Sequence, residues 1–257
     1  MNYIRTALFN IIILSVTIVM SIVTFIIINI LMYGLFFIPL FAHKYSKKIA
    51  IKAVIIWSVI FLFLLKYITN IKFVVHNAKI IQKKGVIIAC NHCSAWETFF
   101  FNFQCNVPAF ILKKSLLQIP IIGFFGKSIG MIGIDRKSYT KKCRDEIINK
   151  ANSELKNGRN IIIFPQGTRV PTLETFNRQK YPYKPGITIF ARGHYVVTAS
   201  TNARVYFGKS LFSLKKSGTI HVIFNECFYI NEHLSKNDIM DKISYSIDRG
   251  CKQILQI

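Results

Sequence analysis

Acidic residues are scarce in this chain: 11 Asp and Glu stand against 34 Lys and Arg in 257 residues, a formal charge of +23. A surface so poor in carboxylate excludes partners that need an acidic patch. It favours anionic ones: phospholipid headgroups, phosphate-bearing substrates, an acidic carrier protein or nucleic acid. Cysteines are few and scattered, at positions 90, 93, 105, 143, 227 and 251, without the dense framework of a small secreted disulfide protein, so a reducing compartment fits better. Cys90 and Cys93 form a single C-x-x-C with no second pair and no H-x-E with a downstream P-C-x-x-C, which argues against zinc and redox use and for buried small hydrophobes. No serine or cysteine accompanies a histidine in a nucleophile-elbow context, and Cys93 has no separate base, so the chain offers no evident covalent nucleophile. There is no internal repeat and no low-complexity linker.

Charge is missing altogether from Ala7 to about Ala42, a run long enough for a helix to cross the hydrocarbon of a bilayer. The surplus beyond one span, with Gly34 and Pro39 near its end, predicts a bend or an interfacial stretch. A cleaved signal peptide would be shorter and would end in a small-residue cleavage site. The basic cluster His43-Lys44-Tyr45-Ser46-Lys47-Lys48 follows, then a second apolar run from Ala53 to Leu65 closed by Lys66 and Tyr67. That run is short for a full crossing and reads as a re-entrant or interfacial helix as readily as a span. The lysine-rich flank places residues 43–52 and the chain beyond on the cytoplasmic side. A composition 52% hydrophobic and a mean hydropathy of +0.37 agree with a protein partly dissolved in membrane.

From residue 70 onward the pattern changes to short β-like runs alternating with amphipathic stretches, which divides the chain into an anchoring segment, 1–69, and a globular α/β domain, 70–257. Strands are predicted at 85–90, 109–112, 131–134, 160–164, 195–199 and 219–224, and helices at 95–103, 141–156, 184–191 and from about 237 to the C-terminus. Such alternation favours a central sheet covered by helices.

Chemistry concentrates in Ala89-Cys90-Asn91-His92-Cys93-Ser94-Ala95-Trp96-Glu97-Thr98, where a strand ends in a polar turn. His92 and Glu97 are five residues apart, about 500° around a helix, and cannot share a helical face. They meet only if His92 lies in the turn and Glu97 in the first turn of the next helix. The carboxylate would then fix the imidazole tautomer and leave the other ring nitrogen as a general base. Ser94-Ala95-Trp96-Glu97 also spells an S-x-x-E capping box, which would give Glu97 a purely structural task. With no nucleophile on the protein, the hydroxyl to be activated belongs to the substrate.

These residues resemble the 1-acylglycerol-3-phosphate (lysophosphatidate) acyltransferase family within the wider glycerolipid acyltransferases. Its first motif, N-H-x-x-x-x-D, is similar to Asn91-His92-Cys93-Ser94-Ala95-Trp96-Glu97, with Glu for Asp. The second resembles Gly130-Met131-Ile132-Gly133-Ile134-Asp135-Arg136. The third, F-P-E-G-T-R, resembles Phe164-Pro165-Gln166-Gly167-Thr168-Arg169, with Gln for Glu. The fourth, V-P-x-V-P-V, is matched only loosely by His194-Tyr195-Val196-Val197-Thr198-Ala199, where Tyr195 and Thr198 replace prolines and an altered acyl-chain or acceptor preference is expected. His194 itself reads as an ordinary, partly exposed histidine.

The resemblance covers roughly residues 70–230 and implies a mixed α/β domain behind a membrane-embedded helical pair. It implies acyl transfer from acyl-CoA or acyl carrier protein to the sn-2 hydroxyl of a lysophosphatidate, giving phosphatidate, with no metal and no cofactor. His92 and Glu97 are the expected dyad. Arg169, Arg136, Lys114, Thr168 and Gly167 would bind the substrate phosphate, since Arg holds phosphate bidentately. Asn91 and Gln166 would support the motifs, and the backbone amides just after His92 are candidate oxyanion donors. Two alternatives stay open. One is a related acyltransferase with another acceptor, such as glycerol 3-phosphate or another lysolipid. The other is a non-catalytic basic protein binding anionic lipid or nucleic acid by charge alone, although nucleic acid is not an expected partner of the enzyme.

Overall fold

The computed structural model describes the backbone of all residues but 35–38, 136–139 and 175, and their side chains except for residues 31–44 and 173. Two long apolar helices come first: α1 (Asn2–Gly34) and α2 (Pro39–Thr69). Within them, Asn2–Ile30 and Tyr45–Thr69 are long and apolar enough to cross a membrane. The second helix is therefore longer than the apolar run of residues 53–65 suggested. The basic cluster before that run is itself helical, because Lys and isolated polar residues cost a helix little.

The two helices pack antiparallel as a hairpin whose inner face lies along the rest of the protein. Phe9 meets Phe61 and Phe207 edge-on, and Phe25 meets Phe124. Phe61 stacks on Phe99 at 3.6 Å, beside which Trp57 packs at 4.9 Å. Near the start of α2, Lys47 pairs with Glu154 at 3.2 Å.

The remainder forms a seven-stranded mixed sheet in the order β1-β7-β6-β2-β5-β3-β4. The strands are β1 (Ile71–His76), β2 (Ile87–Cys90), β3 (Ala109–Lys113), β4 (Ile132–Ile134), β5 (Ile161–Ile163), β6 (Tyr195–Thr201) and β7 (Gly218–Tyr229). All neighbours are parallel except β6 and β7. Helices α3 (Trp96–Gln104), α4 (Pro120–Ser128), α5 (Lys141–Lys156), α6 (Ile187–Ala191), α7 (Ala203–Phe207) and α8 (Lys236–Ile254), with short 3-10 turns at Ala78–Gln82, Lys114–Gln118 and Thr172–Glu174, complete the described elements.

Alternation along the strands divides the core in two. Ile88, Cys90, Val197, Ala199, Val222 and Phe224 face the hairpin, α3, α4 and α7. Ile87, Ala89, Ile161, Ile163 and Val196 face α5, α6 and α8. Sequence periodicity placed six of the strands and gave α5 its bounds. The predicted helix at 184–191 is only Ile187–Ala191, since Pro185 and Gly186 hold the chain in a turn beforehand. Strand β1, α4 and α7 were not anticipated. The IKFVVH of β1 abuts the apolar helix before it, α4 reads as another apolar run, and α7 is barely one turn.

Candidate active site

Strands β2, β5, β3 and β4 lie side by side and parallel, so their C-terminal ends open on one edge of the sheet, where ligands of such folds bind. The chain puts its polar motifs there: His92 two residues beyond β2, Phe164 to Arg169 directly after β5, Lys114 directly after β3, and Asp135 directly after β4. Neighbouring strands are about 4.8 Å apart, so the turn carrying Lys114 starts roughly 10 Å across the sheet from the one carrying His92. Arg136, another of the expected phosphate ligands, falls outside the described residues.

His92 and Glu97 meet. The histidine Nδ1 lies 2.5 Å from Glu97 Oε2, and the other carboxylate oxygen accepts the backbone N–H groups of Cys93 at 3.1 Å and Ser94 at 2.9 Å. Glu97 is fully buried, where an unpartnered carboxylate would be costly. Its contacts supply the compensation, and the amide-bound oxygen can only accept. The helix cap falls on Ala95 without a side-chain bond, so the S-x-x-E box does not close at Ser94; the Ser94 N–H is bound by Glu97, while its hydroxyl accepts from Trp96 N at 3.2 Å and donates to the Gly208 carbonyl at 2.7 Å. Glu97 thus holds both the turn before the helix and the histidine.

The turn is clamped on several sides. The Asn91 side chain donates to Thr201 O at 2.9 Å and accepts from Thr201 N at 2.8 Å, tying the end of β2 to β6. The His92 carbonyl accepts from Val170 N at 2.7 Å, which joins it to the chain just past Arg169. Phe164 stacks on the imidazole at 4.0 Å and 19°, covering one ring face. Gly167 makes the turn after β5 with φ of +65°, a conformation that side-chain-bearing residues rarely adopt. Thr168 is exposed beyond it. Arg169 donates to the Lys209 carbonyl at 3.4 Å, and Arg204 holds the Arg169 carbonyl at 3.1 Å. Gln166 is buried beneath the same turn, and Lys114 is exposed.

Sequence reasoning missed the Asn91–Thr201 clamp, the Phe164 stack and the contribution of Arg204, all of which join residues distant in the chain. It also took Cys93 for a plain buried hydrophobe. The Cys93 thiol lies 3.0 Å from Glu97 Oε1, and burial first, then the neighbouring carboxylate, pushes its pKa well up, so it stays a protonated donor. The suggested oxyanion donors need correcting too. The amides of Cys93 and Ser94 are spent on Glu97 and that of Trp96 on Ser94. No group of three or more His, Cys, Asp or Glu side chains able to hold a metal occurs among the described residues.

An imidazole fixed at Nδ1 by a buried carboxylate, at the mouth of a parallel sheet and beside an arginine-bearing turn, suits proton removal from a bound hydroxyl. Comparison with known proteins identifies the family. The chain is 29% identical over 175 residues to the 1-acyl-sn-glycerol-3-phosphate acyltransferase of Pseudomonas aeruginosa, covering 67% of this chain and 65% of that one. It is 36% identical over 105 residues to the enzyme of the same name from Borreliella burgdorferi, covering 40% of this chain and 41% of that one. The match therefore spans less than two thirds of either relative. In fold it resembles the crystal structure of the 1-acyl-sn-glycerophosphate acyltransferase PlsC from Thermotoga maritima, with a TM-score of 0.65 at 19% identity over 99% of this chain and 98% of that one. The acyltransferase family model matches residues 72–201, half of the sequence and all of the turns just described, and the chain belongs to that family.

Proposed function

We propose that this protein transfers a fatty acyl group from an acyl thioester to the sn-2 hydroxyl of 1-acylglycerol 3-phosphate, giving phosphatidate. The observation that carries the reading is the 2.5 Å contact between His92 Nδ1 and buried Glu97, which leaves Nε2 with a free lone pair. His92 Nε2 takes the hydroxyl proton as the oxygen attacks the thioester carbonyl. The tetrahedral adduct collapses, the C–S bond breaks, and the leaving thiolate recovers that proton from the imidazolium. Glu97 stabilises the imidazolium and stays ionised throughout. No metal enters the scheme, because the thioester is already activated. Arg169 and Thr168, with Arg136 and Lys114, hold the substrate phosphate, and either acyl-CoA or acyl carrier protein serves as donor.

The apolar hairpin and its lysine-rich flank support a membrane location for this chemistry, with residues 70–257 read as the catalytic domain on the cytoplasmic face. The relatives' names and the net charge of +23 support an anionic lipid acceptor over a neutral one. The test is transfer of labelled acyl groups from each donor to lysophosphatidate in detergent micelles. His92→Ala is expected to lose activity by roughly 10²–10⁴-fold with folding intact. Full activity in that variant would overturn the mechanism, and an inactive wild type with both donors would point to glycerol 3-phosphate or another lysolipid as acceptor.

A further inference from the structure

Between α7 and β7 the chain makes a loop whose construction is at odds with its tip. The Ser213 N–H bonds the Ser210 carbonyl at 3.2 Å, closing a turn whose two central residues are Leu211 and Phe212. Turn centres usually carry Gly, Asn, Asp or Pro, yet this one displays Phe212 at 70% exposure. The loop is not loosely held. Ser213 Oγ accepts from Ser210 N at 3.0 Å, and the Lys215 ammonium, buried beneath, donates to the carbonyls of Leu211 and Ser213 at 2.5 and 2.6 Å. Gly208 opens the loop at φ of +81°, where an added Cβ would come within 2.4 Å of Ser213. A well-braced turn with an apolar tip faces something other than water.

Its surroundings identify what. The loop is fastened to the open end of the hairpin: Lys215 N bonds Thr6 Oγ1 at 3.0 Å, and Ser217 Oγ donates to Thr69 O at 2.9 Å and accepts from Arg5 at 3.5 Å. At that end the hairpin carries Tyr3 and Tyr67, 76% and 65% exposed, and Lys66 over the Tyr67 ring. Aromatic rings with amphipathic character and flanking lysines are the residues found where a bilayer meets water. Lys209 and Lys216 are exposed on either side of the Phe212 turn, so the loop pairs an apolar tip with positive shoulders, the complement of an anionic lipid surface. On its inner side the loop touches the candidate site twice, through the Ser94 hydroxyl on Gly208 and Arg169 on Lys209.

We propose that the turn Ser210–Ser213 inserts Phe212 into the headgroup zone of an anionic bilayer and thereby fixes the height of the His92 turn at the lipid–water boundary. The inference rests on the reading of the hairpin as membrane-embedded. It adds a second, independent contact that would let a single-chain lipid pass from leaflet to site without crossing water.

The experiment uses the full chain reconstituted in vesicles of equal parts phosphatidylglycerol and phosphatidylcholine, with nitroxide quenchers placed either near the headgroup or deep in the acyl chain. The wild-type tryptophans, Trp57 on the inner face of α2 and Trp96 in the core, set the background, and Val19→Trp, on the exposed face of α1, reports the hairpin separately. In Phe212→Trp an additional component is expected, quenched more strongly by the shallow label than by the deep one. No extra quenching in Phe212→Trp overturns the loop proposal even if Val19→Trp is quenched. Extra quenching in Phe212→Trp with none in Val19→Trp sustains the loop and removes the embedded hairpin instead. As a functional arm, Phe212→Ser should raise the KM for lysophosphatidate in these vesicles by about tenfold, the low end of what burying one Phe contributes, and leave micellar activity unchanged. An equal loss in micelles, or a loss seen only with a carrier-protein donor, would assign the loop to folding or to donor docking and overturn the proposal.

Discussion

The two oxygens of Glu97 serve different neighbours, Oε2 the imidazole and Oε1 the amides of Cys93 and Ser94, and this makes a single substitution diagnostic. In Glu97→Gln the amide oxygen can still accept both N–H groups, so the helix start survives. The NH₂ then faces Nδ1, which must accept, and the ring proton moves to Nε2 where the lone pair was needed. Thermal stability should stay near that of the wild type while kcat falls by roughly 10²–10⁴-fold. Wild-type turnover in Glu97→Gln would reduce that residue to a cap.

The Cys93 thiol is a third donor to the same carboxylate, 3.0 Å from Oε1. Cys93→Val removes it, so Oε1 keeps only the two amides, the carboxylate is held less firmly against Nδ1, and kcat should fall by up to about tenfold, the loss of one weak donor to a charged group. Cys93→Ser keeps a donor and should retain wild-type kcat. Unchanged kcat in the valine variant would show that the thiol only fills space.

Among the elements, the sequence is most legible where a single strand or helix faces one environment. The β-branched runs of β2, β5 and β6 and the 3.6-residue pattern of α5 announce themselves because burial on the sheet faces dictates residue type locally. The His92 turn was legible as well, because its partner lies five residues away and local geometry limits how the two can meet. What stayed hidden depends on chain closure: the β1–β7 pairing spans some 145 residues of sequence, as the His76–His221 contact across it illustrates. The loop beneath α1 was hidden for the same reason.

Its buried Lys215 gives a further expectation. Burial lowers the pKa of that ammonium from 10.5 to about 8, against the pull of the two carbonyls and of the Phe207 ring at 4.2 Å. The unfolded chain binds the extra proton between those values, so this contribution to stability should rise with pH from about 8 to 10.5 and stay level outside that window. Thermal unfolding in detergent at pH 7.5 and pH 9.5 reads this contribution. Lys215→Met should flatten the difference, and an unchanged slope in that variant would place the titration elsewhere.

For the whole molecule, the question is whether the hairpin is a detachable leash or part of the fold. Phe9, Ile13, Phe61 and Leu65 belong to the same buried cluster as Trp96, Phe100 and Phe224, and Phe61 stacks directly on α3, the helix that carries Glu97. A buried aromatic of this kind contributes about 1.5–3 kcal/mol through burial alone, with roughly another 1 kcal/mol from the ring pair. A domain stability of only about 5–15 kcal/mol does not survive the loss of several such contacts. Deletion of residues 1–69 should therefore abolish activity even in micelles, where anchoring is irrelevant. Replacing the hairpin with an unrelated membrane helix should restore membrane attachment without restoring acyl transfer. Were the grafted chain to regain wild-type turnover, the hairpin would be a leash after all, and the packing of α2 on α3 would carry no weight in holding His92 and Glu97 together.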